Sequence, residues 1–250
     1  MLGHTGAVSE EHQRFERAAD AVAFGRLADL RDLLDHHPSL VRARSSRPHR
    51  ATLLHYCGAN GTEDPRQRTP PNAPAVAQLL LARGADPDAE CQIYGAADTT
   101  LVLVLTSVFP RDAGLDGELV QVLAAGGARI DGGPGDRPIV TAISFGRPRS
   151  AAALVAAGVR VNDLFIAAGV GRTDVLAALL DAGVDPDASF AYNLTALHAA
   201  AATGHRAAVE LMLDRGASVT LREDRWAATP AGIAAYNGHP DLAALINSRG

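Results

Sequence analysis

A chain of 250 residues, 47 % hydrophobic and 20 % charged, has the make-up of a soluble globular protein, long enough for one large core or two modest ones. All 23 basic residues are arginine, so mechanisms that need a lysine are excluded: Schiff-base chemistry, pyridoxal phosphate anchoring, a phosphate-loop lysine. A net charge of −5 argues against a general nucleic-acid binder, and with aromatics at 4 % the core must be built from Ala, Leu and Val, which suits closely stacked helices.

The start, MLGHTGAVSE, lacks the basic and apolar regions of a secretion signal. Residues 1–14 are expected to form an N-terminal cap segment and residues 15–250 a single repeat domain. Helix pairs follow in chain order. The first is AADAVAFGRLADLRDLLDHHP. The second is TLLHYCGANG, then VAQLLLARGADPDA. The third is TTLVLVLTS, then ELVQVLAAGGARID; its apolar run Leu101–Phe109 is too short to cross a bilayer. PIVTAISFG with AAALVAAGV makes the fourth, and DLFIAAGVGRTDVLAALLDAGVDPDA the fifth. In the last two, Thr195, Gly204, His205 and Leu211 recur as Thr229, Gly238, His239 and Leu245 at an offset of 34; Gly171, Leu180 and Gly183 precede Gly204, Leu213 and Gly216 by 33. Each element has a physical reason. Thr caps a helix start, and Pro230 at the next position has no amide hydrogen to lose. Gly204 and Gly238 supply the left-handed residue that ends the first helix.

TALHAA, then GH, then an apolar run, then RGA resembles the ankyrin repeat, whose pattern contains TPLHxA. The resemblance implies an all-α ankyrin-repeat solenoid of about seven helix-turn-helix units, with insertions in units two and three. It also implies that His55 and His198 hydrogen-bond to loop backbone as scaffold, although His55 beside Cys57 would otherwise hint at nucleophilic catalysis. LLHYCGANG, RQRTPPNA and YGAADTTLVLVLTS together resemble a bacterial ankyrin subgroup.

Function on such a stack sits where the repeat is broken. GTEDPRQRTPPNAP, residues 61–74, interrupts the second pair, CQIYGAADTT forms the loop before the third, and VFPRDAGLDG interrupts that pair; the two insertions are expected side by side. Between Arg42 and Arg68 six arginines face two acids, a local balance of +4 that leaves −9 for the remainder. An anion or ligand pocket would use Arg47, Arg66, Arg68, Tyr56 and Tyr94. Were it catalytic, Asp64 and Asp98 would be the carboxylates, Arg66 and Arg68 the anion clamps, and Tyr94 or Tyr56 the proton donor. The solvated-loop reading of the same residues stands beside it. Cys57 and Cys91 lie in unlike segments without CxxC or HExxH spacing, so neither a disulfide framework, a metal site nor a cofactor is expected.

The rival surface lies on later loop tips: Phe190 and Tyr192, then Arg222, Asp224, Arg225 and Trp226. First-helix positions Phe145, Ala202 with Thr203, and Tyr236 with Asn237 would add to it. Aromatics and arginine on tips are what protein contacts favour. Trp226 has a second reading, as a lid folded onto the last repeat. The resulting expectation is a cytoplasmic, non-enzymatic adaptor that binds a protein partner, with no nucleic acid and no membrane. The alternative is a pocket for a small anionic substrate around residues 61–74 and 91–117.

Overall fold

The computed structural model of the chain describes residues 4–131 and 137–250, with side chains from residue 10 onward. It forms two compact units, residues 1–138 and 139–250.

In the N-terminal unit, helix α1 (His4–Ala23) and helix α2 (Leu27–His36) are reversed at Gly25, where φ is +67°. Residues 4–14 of the segment expected as a cap lie in this first helix. The first helix of the second repeat is a short 3-10 turn, Leu53–Gly58, every residue of it buried; its partner is α3 (Ala73–Ala82). The loop CQIYGAADTT is a hairpin rather than irregular chain. Strand β1 (Glu90–Ile93) pairs antiparallel with β2 (Ala96–Thr99), with Ile93 opposite Ala96. Tyr94 and Gly95, at φ +52° and +83°, make the two-residue left-handed turn whose twist matches a hairpin. Helix α4 (Thr100–Thr106) starts at Thr99, whose hydroxyl accepts from Val102 N–H. The second insertion is mostly a helix, α5 (Val108–Asp112), before α6 (Asp116–Ala125). The core between these elements is aliphatic: Leu30, Leu34, Leu53, Leu54, Leu80, Leu103, Leu119 and Leu123 are fully buried, and Tyr56 with them.

The C-terminal unit is more regular. It holds helix pairs α7 (Pro138–Ser144) and α8 (Pro148–Ala156), α9 (Leu164–Gly169) and α10 (Thr173–Asp181), α11 (Ala196–Thr203) and α12 (Arg206–Asp214), and α13 (Pro230–Tyr236) and α14 (Pro240–Asn247). With the first three pairs, the described residues make up seven. First helices pack in a row, α9 on α11 and α11 on α13, while α10, α12 and α14 form the row behind. Ala196 to Ala202 are all buried in that row, because small side chains let helix backbones approach. Ala202 and Thr203, expected on the exposed side of α11, are therefore interior; the Thr203 hydroxyl donates to Ala199 O at 2.9 Å.

Three bonding patterns repeat along the chain. Thr52 N–H donates to His55 Nδ1 at 3.0 Å and Thr195 N–H to His198 Nδ1 at 3.2 Å, so each imidazole is neutral and caps its own helix. His198 Nε2 then reaches Ala228 O at 3.3 Å, fastening the helix to the following loop. Acidic residues join consecutive loops: Asp88 accepts from Arg129 N–H and Asp187 from Ser218 N–H, at 2.9 and 2.8 Å. Finally, the turn glycine of one pair lies under the histidine that opens the second helix of the next. A methyl group on Gly204, whose φ is +80°, would fall 2.6 Å from the His239 ring.

Two predictions follow this scaffold. Gly204→Ala combines left-handed strain with that clash and should lower stability by about 1–2 kcal/mol, read as a shifted urea midpoint. Burial pushes His55 down from 6.5 to about 4, against partial opposition from the Ala89 and Asp98 carbonyls. The unfolded chain therefore binds more protons than the native one between those values, and stability should fall as pH drops from 6.5 toward 4. By pH 5 His55 alone should account for about 2 kcal/mol. His55→Asn should flatten that window of the melting profile while leaving the carboxylate-driven loss below pH 4.5.

Candidate functional site

The insertion at residues 61–74 does not extend into solvent. It folds back across the first repeat as a strap tied at three points. A 3-10 turn, Asp64–Arg66, begun by Pro65, buries Arg66 and aims it at α1. Arg66 Nε donates to Asp20 Oδ1 at 2.7 Å, one terminal nitrogen to Glu16 Oε2 at 2.8 Å and the other to Glu16 O at 3.2 Å. Arg68 lies over the Phe24 ring at 4.5 Å, and Asn72 Nδ2 donates to Gly25 O at 2.8 Å.

Beneath the strap the charges close into one network. Arg47, from the arginine-rich loop, pairs with Glu16 at 3.0 Å and with Glu63. His49 Nε2 and the Tyr56 hydroxyl both meet Glu63 Oε1 at 3.4 Å, and Arg66 reaches it at 3.6 Å. Burial raises the carboxyls of Glu16 and Glu63, but bonds and charge from Arg47 and Arg66 outweigh it at Glu16, and at Glu63 its own backbone amide together with the charges of the two arginines does so, holding both below the usual range. Tyr56 goes the other way: burial and the Glu63 charge push its hydroxyl up. It is a poor proton donor.

Three expected pocket residues, Arg47, Arg66 and Tyr56, are thus brought together, but around the protein's own carboxylates. Arg68 is set apart on Phe24. Tyr94 stands on the hairpin tip, 81 % exposed, with its hydroxyl 3.3 Å from Asn60 Oδ1. Asp64 is exposed and takes a 3.3 Å bond from Gln67, while Asp98 lies on β2 opposite Cys91. The two insertions touch at their bases, where Asn60 Nδ2 donates to Thr106 Oγ1 and the Ser107 hydroxyl to Ala59 O. From there the first turns to α1 and the second stays with α6. Burial pushes both thiols, Cys57 and Cys91, up to about 12, which leaves little thiolate at neutral pH. Sequence reasoning missed Glu16, Asp20, Glu63 and His49; the only signal for them was the surplus of arginines in search of acids.

The other candidate surface lies on the tips of the C-terminal unit. Loop 189–194 and loop 222–227 are cross-linked: Asp224 N–H donates to Tyr192 O and Asn193 Nδ2 to Arg222 O, both at 2.9 Å. Glu223, a residue the sequence reading passed over, is buried at the centre. Its carboxylate accepts from Arg225, Trp226 and Ala228 N–H at 2.8, 2.8 and 3.0 Å. Burial raises it, yet those amides outweigh burial and keep it ionised below its ordinary range. Around this frame Tyr192, Asn193 and Ala227 hold left-handed φ values of 57–58° and 52° without being glycine, a conformation kept only where surroundings enforce it. Arg225 stacks on Tyr192 at 3.9 Å, and the Arg222 guanidinium donates to Ala227 O at 2.6 Å. Trp226 is 71 % exposed, so it is not a lid on the last repeat. Phe190 stacks on Phe165 at 4.8 Å and serves packing as much as contact. Tyr236 projects at 91 % exposure, Asn237 bonds back to Ile233 O, and Phe145 is half-buried.

Among the described residues no cluster of three or more His, Cys, Asp or Glu side chains could hold a metal ion, and no helix is long and apolar enough to cross a membrane. Residues 164–250 match the family model for ankyrin repeats in three copies. The ankyrin repeat domain of human ASB11 superposes on 92 % of this chain and 96 % of its own, with a TM-score of 0.53 at 23 % identity. An ankyrin repeat-containing protein of Schizosaccharomyces pombe is 34 % identical over 61 residues, 24 % of this chain and 30 % of that protein. A serine/threonine-protein kinase of Arabidopsis thaliana is 36 % identical over 93 residues, 37 % of this chain and 19 % of the kinase. The chain therefore spans under a third of the length of these curated relatives. Residues 164–250 are thus similar to ankyrin repeats and the chain as a whole has the all-α fold of an ankyrin-repeat domain; ankyrin repeats generally serve as protein-interaction modules.

Arg66→Ala removes the shared partner of Glu16 and Asp20 and should destabilise the protein by about 2 kcal/mol, less than a fully buried pair because Asp20 is partly exposed. Limited proteolysis should then cut within residues 61–72, which resist in the parent.

Proposed function

We propose that this protein is a non-enzymatic adaptor that grips a protein partner with the cross-linked tips 189–194 and 222–227, assisted by Tyr236. The observation that carries this reading is Trp226. A tryptophan 71 % exposed, on a loop whose backbone is pinned by a buried carboxylate, keeps large apolar area in water at a fixed place. Such area is stabilised when a partner covers it, and rigid presentation lowers the ordering entropy of binding. Tyr192, with Arg225 stacked across it, supplies a second anchor of the type that dominates interface energetics.

An anionic-substrate pocket at residues 61–74 and 91–117 has less in its favour. Arg47 and Arg66 are already held by Glu16, Asp20 and Glu63, and an incoming anion would have to displace them. We assign that network to holding the first two repeats together.

Tyr192→Ala with Trp226→Ala should leave the melting temperature within a degree or two, since both side chains are exposed. It should weaken a partner captured by the parent protein at least roughly thirtyfold. Calorimetry with the purified partner reads both constants, and full retention of affinity would remove the tips from the interface.

A further inference from the structure

We infer that the N-terminal unit carries a second docking surface, a cleft between the loops that follow α2 and α3, which takes an Asp- or Glu-rich segment of a protein partner. Its walls come from Val41, Arg42, Arg44, Ala85, Asp86 and Ala89. This inference does not rest on the tips of the C-terminal unit.

Of the six arginines between residues 42 and 68, Arg47 and Arg66 are neutralised by carboxylates under the strap, and Arg68 lies on Phe24. Arg42 and Arg44 are fixed differently. Arg42 Nε donates to Gly84 O at 3.1 Å, while one terminal nitrogen of Arg44 donates to Arg50 O and Glu90 O at 3.0 and 2.6 Å. Main-chain carbonyls hold a guanidinium in place without cancelling its charge, and no described carboxylate pairs with either one. The single carboxylate in the cleft, Asp86, accepts from Asp88 N–H of its own turn.

Two positioned cations thus outnumber the one carboxylate, Asp86, around a trough lined by Val41, Ala85 and Ala89, on a chain whose net charge is −5. The net-negative protein as a whole disfavours an acidic segment while this cleft favours one, which sets its location as well as its affinity. Each guanidinium has part of its donor fork engaged already. What remains suits one singly charged carboxylate apiece, rather than the enclosing donor shell a phosphate dianion needs. The apolar floor accommodates the side chains between those carboxylates.

The test uses the full chain and a fluorescein-labelled peptide of alternating glutamate and alanine, followed by anisotropy. Saturable binding is expected, weakening as salt rises from roughly 50 to 300 mM. It should be at least tenfold weaker in Arg42→Gln with Arg44→Gln, and unchanged in Arg206→Gln with Arg215→Gln, which removes equal charge from the C-terminal unit. The inference is overturned if the peptide does not bind, if both double variants lose it alike, or if inorganic phosphate competes as well as the unlabelled peptide. Because the first variant could loosen the loops it bridges, hydrogen exchange on the unmutated protein decides independently. The peptide should protect residues 41–44 and 84–89, and protection elsewhere alone would overturn the assignment.

Discussion

No helix pair in this chain can bury its own apolar side. Apart from α1 the described helices run five to ten residues, too short to persist in water, and within each unit they are held by neighbouring pairs. Everything regular in the fold serves that mutual shielding. Alanines line the row of first helices so that backbones approach, and at Gly171 and Gly204 a glycine turns the pair beneath the next pair's histidine. Threonine and histidine tie helix starts to loops, and an aspartate in one loop accepts an amide from the next.

Where those rules are satisfied, residues are not free to do anything else, which accounts for the fate of the histidines and cysteines. His55, next but one to Cys57, has the composition of a nucleophile and its base. The scaffold instead buries both, lowering the imidazole and raising the thiol, which leaves a weak base beside a thiol that holds its proton. The irregular parts are held just as firmly by other means: ion pairs under the strap, and a carboxylate among amides beneath the tips. Rigidity at a break in the pattern distinguishes a presented surface from a slack loop.

The helix pairs were legible because their information is local. Turn glycines, capping threonines and apolar spacing lie within a dozen residues of what they specify, and the 33- and 34-residue offsets multiply the signal. The strap was not legible, because its meaning is long-range. Arg66 reads correctly as an anion binder, yet its anions are Glu16 and Asp20, about fifty residues away, and nothing local singles them out among 28 acids. The hairpin at residues 90–99 escaped for a different reason. Four-residue strands give almost no alternation, and its turn uses Tyr-Gly where Asn-Gly would have announced it. At the C-terminal tips, exposed aromatics were read from composition and position. Glu223, which shapes those tips, was not, since an acid in a charged loop looks like any other until its amide partners are seen.

Members of a linear array are coupled only through the seams they share with their neighbours. Here a segment belonging to the second member reaches over the turn of the first and clasps its long helix by charge. Parting these two repeats must therefore break ion pairs as well as apolar packing, a seam fastened more tightly than shape alone would make it.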